Sequence, residues 1–96
     1  MPDHPAEHFT LDEARSTLAA IRDMAPDDLR LPLTNLDVAV VLAAGVEVKS
    51  PAEGLVDFPT EIAGEAAYWC WQVGEPEIAW WQPRSTGFAG RRRIAP

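Results

Sequence analysis

The sequence predicts an α+β fold in which an N-terminal pair of helices packs on a small antiparallel β-meander of three to four strands. Two patterns support this prediction. Apolar residues recur with helical spacing up to Ala44, and after Gly45 they alternate with polar residues, as in a half-buried strand. Clusters of glycine, proline and acidic residues separate the alternating segments, as turns separate the strands of a meander.

The length of 96 residues suits one small domain, and an apolar fraction of 47% is typical of a packed globule. We expect a flexible leader at 1–8, a helical part at 9–44, a β-meander at 45–82, and a C-terminal strap and tail at 83–96. No apolar run approaches the length needed to cross a membrane, and the start of the chain has no signal-peptide pattern.

The charge balance argues against a polyanionic partner. There are 15 acidic and 8 basic residues, so the formal net charge is −7, whereas nucleic acids and anionic membranes attract basic surfaces. The basic run at 91–93 is short and terminal. The single cysteine, Cys70, cannot form an intramolecular disulfide, which favours a reducing compartment. We therefore expect a cytoplasmic protein that binds neither nucleic acid nor membrane.

Both predicted helices begin with a capping motif. Thr10 precedes Glu13 by the spacing of a capping box, and Thr34 precedes Asp37 in the same way. The negative charges also lie in the first helical turn, where the helix dipole stabilises them. Pro26 is expected to end the first helix, because proline cannot continue the backbone hydrogen bonding.

The second helix, at 35–44, is apolar on nearly every side, and Gly45 is well suited to end it in a left-handed conformation. A helix of this kind is normally buried. In so small a domain it must contact the sheet and either the first helix or a second subunit. We therefore predict self-association, with a homodimer as the expected state.

The strands follow from alternation and from the turns between them. We predict strands at 46–49 and 55–58, the second of them closed by Pro59. Two more are predicted at 66–73 and 78–82, and the segment after them is interpreted as a loop and tail.

All four tryptophans of the chain fall in the last two predicted strands. A tight turn at 74–77 would place Trp71 opposite Trp80 and Cys70 opposite Trp81. One face would then carry four candidate site residues: Trp69, Trp71, Trp80 and Gln82. Cys70 and Trp81 would take the other face, so both faces would carry a tryptophan.

One of these faces must pack on the helices, and the other would form an exposed apolar patch if nothing covered it. A ligand, a peptide or a second subunit is one possible cover. The alternative is that 83–93 folds back and places Phe88 over the patch. The sequence leaves the two alternatives open.

Asp57 is the leading candidate for chemistry, because a carboxylate between apolar neighbours must be paired or hydrogen-bonded. It could act as a general acid or base, or as a metal ligand. The interpretation that we favour is structural: an ion pair, for example with Arg91 or Arg84, or a cap on exposed backbone groups. Glu75 and Glu77 flank a proline in a turn and are expected to be solvated.

Six short segments resemble a known prokaryotic family, the domain of unknown function 2203. In chain order they are Phe9-Thr10-Leu11-Asp12-Glu13-Ala14, Gly45-Val46-Glu47-Val48-Lys49, Gly54-Leu55-Val56-Asp57-Phe58-Pro59, Cys70-Trp71, Gly74-Glu75-Pro76-Glu77 and Gly87-Phe88-Ala89-Gly90-Arg91. The resemblance implies no established activity. It also implies a histidine at the position of Gln82, and because glutamine is a poor metal ligand, we expect no bound metal and no cofactor.

No zinc-ligand spacing, phosphate-binding loop or dinucleotide fingerprint is present in the sequence. We therefore predict a non-enzymatic module that binds a protein partner or itself. The alternative is a small-ligand or metal-binding protein with its site near Asp57, Glu75 and Arg91. The candidate binding residues are Asp57, Trp69, Trp71, Glu75, Trp80, Trp81, Gln82 and Arg91.

Overall fold

The computed structural model describes residues 8–25 and 27–95, apart from the side chain of Phe88. Within them, two helices precede a sheet of five strands: α1 (Leu11–Met24), α2 (Asn35–Ala43), β1 (Glu47–Ser50), β2 (Leu55–Ile62), β3 (Glu65–Gln72), β4 (Trp80–Pro83) and β5 (Arg92–Arg93). The strands are antiparallel and neighbour one another in chain order. The predicted α+β fold, a helical pair followed by a meander, is confirmed.

Three predictions fall on parts of the chain outside this description. The leader lies outside the described residues except for His8, and so does Pro26, which was expected to end α1. The third is the cover that the Phe88 side chain was expected to provide. The backbone at Phe88 belongs to a short 3₁₀ helix, Phe88–Gly90, between β4 and β5.

Both predicted capping boxes are present. The backbone N–H of Glu13 donates to Thr10 Oγ1 at 3.1 Å, and that of Asp37 donates to Thr34 Oγ1 at 3.1 Å. In each case the acidic side chain accepts from the backbone of the threonine. Gly45 follows α2 at φ 82°, the left-handed conformation expected of it. Local sequence therefore specifies where both helices begin.

The helices pack on one face of the sheet and form a single hydrophobic core with it. The buried members of the core are Phe9, Ala14, Leu18, Ile21, Ala25, Leu29, Leu33, Val41, Val46, Val56, Phe58, Trp71 and Ile78. Because side chains alternate along a strand, the residues between these on β2 and β3, such as Asp57 and Cys70, face the opposite side. Neither α1 nor α2 packs on that side, and the segment after β4, which contains the 3₁₀ helix, runs over it.

α2 is not buried all round. Val41 faces the core and is fully buried, whereas Leu36 and Leu42 are 56% and 55% exposed. The expectation of burial on every side is wrong for this part of the helix, because α1 and the sheet both contact the same side of it. An apolar stripe is left open to solvent.

β2 continues through Pro59 to Ile62, so the prediction that proline closes this strand is wrong. The reason is the short β1, whose pairing with β2 reaches only as far as Asp57. Beyond that point β2 has a free edge, where a proline is tolerated because no neighbouring strand needs its N–H. The carbonyl of Pro59 accepts a hydrogen bond of 2.7 Å from the backbone of Phe9.

The register between β3 and β4 differs by one residue from the prediction. Cys70 lies opposite Trp80 and Trp69 lies opposite Trp81. The connection is longer than a tight turn, since β3 ends at Gln72 and Ile78 is buried in the core before β4 begins. A shift of one residue moves each side chain of a strand to the other face, and this correction relocates the candidate site.

The sheet also has a fifth strand that was not predicted. Arg92 and Arg93 pair with Trp81 and Trp80. Two consecutive arginines carry no alternating apolar pattern, so the sequence has no strand signal at this point. The pairing is accompanied by stacking of each guanidinium over the tryptophan opposite it, at 5.4 Å from the ring centroid in both cases.

Candidate functional site

A pocket of about 280 Å³ opens between the face of the sheet opposite α1 and α2 and the segment that follows β4. It is called the Asp57 pocket below. Its lining residues are Lys49, Leu55, Asp57, Tyr68, Gln82, Arg84 and Gly87. They come from β1, β2, β3, β4 and the turn after β4, so the meander brings together residues that are distant in sequence.

Two buried polar side chains form the base of the Asp57 pocket. Asp57 is 4% exposed and Gln82 is 3% exposed. Gln82 Nε2 donates a hydrogen bond of 3.1 Å to Asp57 Oδ2, across the intervening strand β3. Cys70 lies opposite Asp57 on that strand, and its small side chain leaves room for the contact.

The amide oxygen of Gln82, Oε1, has no hydrogen-bond partner among the described residues, although it is fully buried. A buried acceptor without a hydrogen bond costs about 1–3 kcal/mol, and native proteins rarely keep one without a compensating role. The base of the pocket therefore has an unused hydrogen-bond acceptor.

Burial raises the pKa of the Asp57 carboxyl above its usual range. The Cys70 thiol, which is close enough to donate a hydrogen bond, works against this rise, and so do the charges of Lys49 and Arg91, while Glu47 adds to it. Burial also raises the pKa of Cys70 itself, which disfavours the reactive thiolate.

The predicted ion pair of Asp57 with Arg91 or Arg84 is not formed. Arg91 instead binds both carboxylate oxygens of Glu75 at 3.0 Å, so Glu75 is half-buried and paired rather than solvated as predicted. Arg84 stacks over the ring of Tyr68. One guanidinium nitrogen, Nη2, donates to both carboxylate oxygens, and the charges on both groups strengthen the contact that holds Arg91 at this turn.

The substitution Asp57→Asn is expected to remove a pH dependence of stability. With the pKa of Asp57 raised in the folded protein above its ordinary 3.8, the unfolded chain releases this proton at lower pH. The contribution of Asp57 to stability is therefore complete below about pH 3.8 and is lost as the pH rises through the folded pKa.

Asparagine keeps an oxygen for Gln82 Nε2 and cannot ionise. The variant should be at least as stable as wild type near pH 8 and should lose less stability between about pH 4 and pH 8. Urea unfolding at both pH values, with wild type as the reference, measures the difference. An equal pH dependence in the two proteins would show that Asp57 does not titrate as inferred.

The rim of the Asp57 pocket is cationic and aromatic. The Lys49 ammonium and the Arg84 guanidinium lie over the ring of Tyr68, at 4.6 and 4.8 Å from its centroid. Lys49 is also held by Glu47, with 2.6 Å between Nζ and Oε1, and by the Tyr68 hydroxyl at 3.2 Å. The exposed Arg84 side chain has no ion pair or hydrogen bond within the described parts of the chain.

The tryptophans lie mostly outside this pocket. Trp71 is 2% exposed and belongs to the hydrophobic core, and Trp69 packs at its border, where its Nε1 donates to the carbonyl of Phe9 at 2.8 Å. Trp81 lies opposite Trp69. Trp80 is on the pocket side of the sheet, with the Arg91 guanidinium 5.0 Å from its ring centroid.

Of the predicted site residues, Asp57 and Gln82 therefore meet directly, and Arg91, Glu75 and Trp80 lie beside them on the same side of the sheet. Trp69, Trp71 and Trp81 do not join them. Sequence reasoning missed Lys49 and Tyr68, and it considered Arg84 only as an ion-pair partner of Asp57. The correct β3–β4 register would have found Tyr68, because it places Tyr68 opposite Gln82.

Two further properties of the described residues bear on the site. No group of three histidine, cysteine, aspartate or glutamate side chains in the described ranges could hold a metal ion. Across the same ranges, no helix combines the length and apolar character needed for a membrane span.

Comparison with known proteins identifies a family and no characterised relative. Neither a curated protein nor a solved structure matches this chain. A family model described as an uncharacterized conserved protein, DUF2203, matches residues 33–94. This range includes every residue that lines the Asp57 pocket. The match covers more than half of the sequence and includes five of the six motifs that carry the resemblance, all except the segment at 9–14. The chain belongs to the DUF2203 family.

Proposed function

We propose that this protein binds a small molecule in the Asp57 pocket. The observation that carries the proposal is the buried, unpartnered Oε1 of Gln82. This acceptor is fixed by the hydrogen bond of its own amide to Asp57 and is closed to water, so a donor from a ligand reaches it once the side chains over it move aside. Bound ligands commonly complete polar groups of this kind at the base of a concave site.

The lining of the pocket fits this role. Leu55 supplies apolar surface, and Tyr68 supplies an aromatic wall. A few oriented polar groups among apolar ones are typical of small-molecule sites. The volume of about 280 Å³ suits a compact ligand. Binding rather than covalent catalysis is proposed, because the raised pKa of Cys70 suppresses the nucleophile nearest to Asp57.

The test combines detection of a ligand with a variant that fills the pocket. Native mass spectrometry of gently purified protein should show a retained small mass, which disappears in Leu55→Trp. Leu42→Trp makes the same change on the exposed face of α2 and should keep the ligand. A retained mass that survives Leu55→Trp places the ligand elsewhere, and its absence from every preparation, with no binding of added fragments, overturns the proposal.

Self-association is a second candidate function, supported by the exposed stripe of α2. Leu36 and Leu42 expose more than half of their surface, and Leu31 nearby in sequence is 51% exposed. Exposed apolar side chains that form a patch are common at contacts between subunits. The homodimer predicted from the sequence would use this side of α2, because Val41 is committed to the core.

The double substitution Leu36→Glu/Leu42→Glu is expected to shift a dimer towards monomer without unfolding the chain, because both side chains are exposed. Sedimentation velocity at high micromolar concentration measures the state. Ala20→Glu, on the exposed side of α1, is the control and should not change it. Wild-type protein that sediments as a monomer would exclude this function.

We further propose that both functions operate in the cytoplasm and that the partners are small molecules or proteins, not nucleic acids or membranes. The support is compositional. The single cysteine is buried in the sheet, as in proteins that do not depend on disulfides. The acidic net charge of −7 disfavours phosphate-rich partners.

A further inference from the structure

The base of the Asp57 pocket is rich in acceptors and poor in donors. Gln82 uses its Nε2 on Asp57, which leaves Gln82 Oε1 unsatisfied. In the described ranges, no cationic nitrogen lies within 4.0 Å of the Asp57 carboxylate. Burying a carboxylate without such a partner is costly. A ligand that brings a positively charged nitrogen could donate to both residues and offset the charge of Asp57.

The rim offers the opposite chemistry. Lys49 is largely neutralised by Glu47, which holds its ammonium at 2.6 Å. Arg84 is the cation with unused donors, and its planar guanidinium can bind both oxygens of a carboxylate. Tyr68, which pairs with Gln82, lies between the levels of Arg84 and Asp57 along the sheet, and all three line the pocket. Leu55 lies beyond Asp57 on the same face. The pocket thus pairs an anionic base with a cationic rim.

We propose that the ligand is a small zwitterion, with its ammonium group at Asp57 and Gln82 and its carboxylate at Arg84. This inference rests on the proposed function of the same pocket. The ligand ammonium supplies the donor that Gln82 Oε1 lacks, and it gives Asp57 the cationic partner that the described residues do not provide. Methylene groups between the two charges pack against the ring of Tyr68, and Leu55 adds apolar surface beyond the ammonium end.

The test uses ω-amino carboxylates of increasing length, from glycine to 6-aminohexanoate, added to the purified full chain. Isothermal titration calorimetry should show that one length binds about tenfold or more tightly than butylamine or butyrate, which each carry one of the two charges. Chemical-shift changes in ¹⁵N spectra should map to β2, β3 and β4. The optimal length reports the separation between base and rim.

Two variants assign the ends of the ligand. Asp57→Asn keeps the hydrogen bond from Gln82 and should weaken the zwitterion by about tenfold or more, while butyrate binding is unchanged. Arg84→Gln should weaken the zwitterion and leave butylamine binding unchanged. Arg30→Gln, at an exposed arginine outside the pocket lining, is the control and should alter neither.

The outcomes separate this inference from the function on which it rests. If butyrate binds as tightly as any zwitterion and Asp57→Asn does not weaken binding, the zwitterion inference is overturned and the pocket is an anion site. If butylamine binds as tightly as any zwitterion and Arg84→Gln does not weaken binding, the inference is also overturned and the pocket is a cation site. If no probe binds but a retained ligand is lost in Leu55→Trp, the inference fails and the proposed function stands. If the pocket holds only water throughout, both fail.

Discussion

The substitution Gly54→Ala is expected to lower the free energy of unfolding by about 2–4 kcal/mol. Gly54 has φ +70°, a conformation that L-residues adopt at a cost. A Cβ there would also lie 2.6 Å from Val73 Cγ2 and 2.7 Å from Leu31 Cδ2. Leu31 can move aside, but Val73 is held by a backbone hydrogen bond to the carbonyl of Gly54, so the turn must open.

Gly64→Ala is the matched control for this prediction. Gly64 also has positive φ, at +82°, but nothing lies within 4 Å of the position of its Cβ. Gly64→Ala should therefore lower the free energy of unfolding only by the cost of placing an L-residue in a left-handed conformation, about 1–2 kcal/mol. Urea unfolding followed by tryptophan fluorescence measures both variants. Equal losses would mean that the close approach of Val73 to Gly54 contributes nothing.

The substitution Trp71→Ala is expected to cost about 3–5 kcal/mol, which is the range for removing a large aromatic side chain from a core. Trp71 is fully enclosed, its Nε1 donates to the carbonyl of Glu75 at 3.0 Å, and the Arg22 guanidinium lies 5.6 Å from its ring centroid. The free energy of unfolding of a small domain is only about 5–15 kcal/mol, so Trp71→Ala could unfold the protein. Trp71→Phe is therefore included as a milder second variant.

Trp80→Ala is the control, because Trp80 is half-buried on the other side of the sheet. Trp80→Ala should lower the free energy of unfolding by less than Trp71→Ala does. The stability of Trp71→Phe should lie between those of wild type and Trp71→Ala. Chemical denaturation with circular dichroism, which does not depend on tryptophan emission, measures all three. A larger loss for Trp80→Ala than for Trp71→Ala would contradict the assignment of Trp71 to the core.

The starts of both helices and the end of α2 were predictable from local sequence. Thr10 and Thr34 cap α1 and α2 as predicted, and the left-handed Gly45 ends α2. Each of these features depends on residues within one helical turn of one another, so their effect does not depend on the rest of the fold. The same local patterns predicted the order of helices and strands, and with it the α+β class.

The candidate site was only partly predictable for the opposite reason. Asp57 was identified from its apolar neighbours, because a carboxylate in such a strand must have a partner. The partner itself, Gln82, lies two strands away. Which residues of β4 share a face with Asp57 depends on the β3–β4 register, which a tight turn was wrongly expected to set. A shift of one residue placed Cys70 instead of Trp71 opposite Trp80.

The sequence by itself determined the α+β class, the two helix starts and the family, since these depend on short-range patterns and motifs. Tertiary structure alone decided that β2 runs through Pro59, that Arg92 and Arg93 form a fifth strand, and that the pocket residues meet. Strand pairing depends on contacts between residues far apart in the chain, and the longer β3–β4 connection is stabilised by burial of Ile78 in a core built by both helices and the sheet.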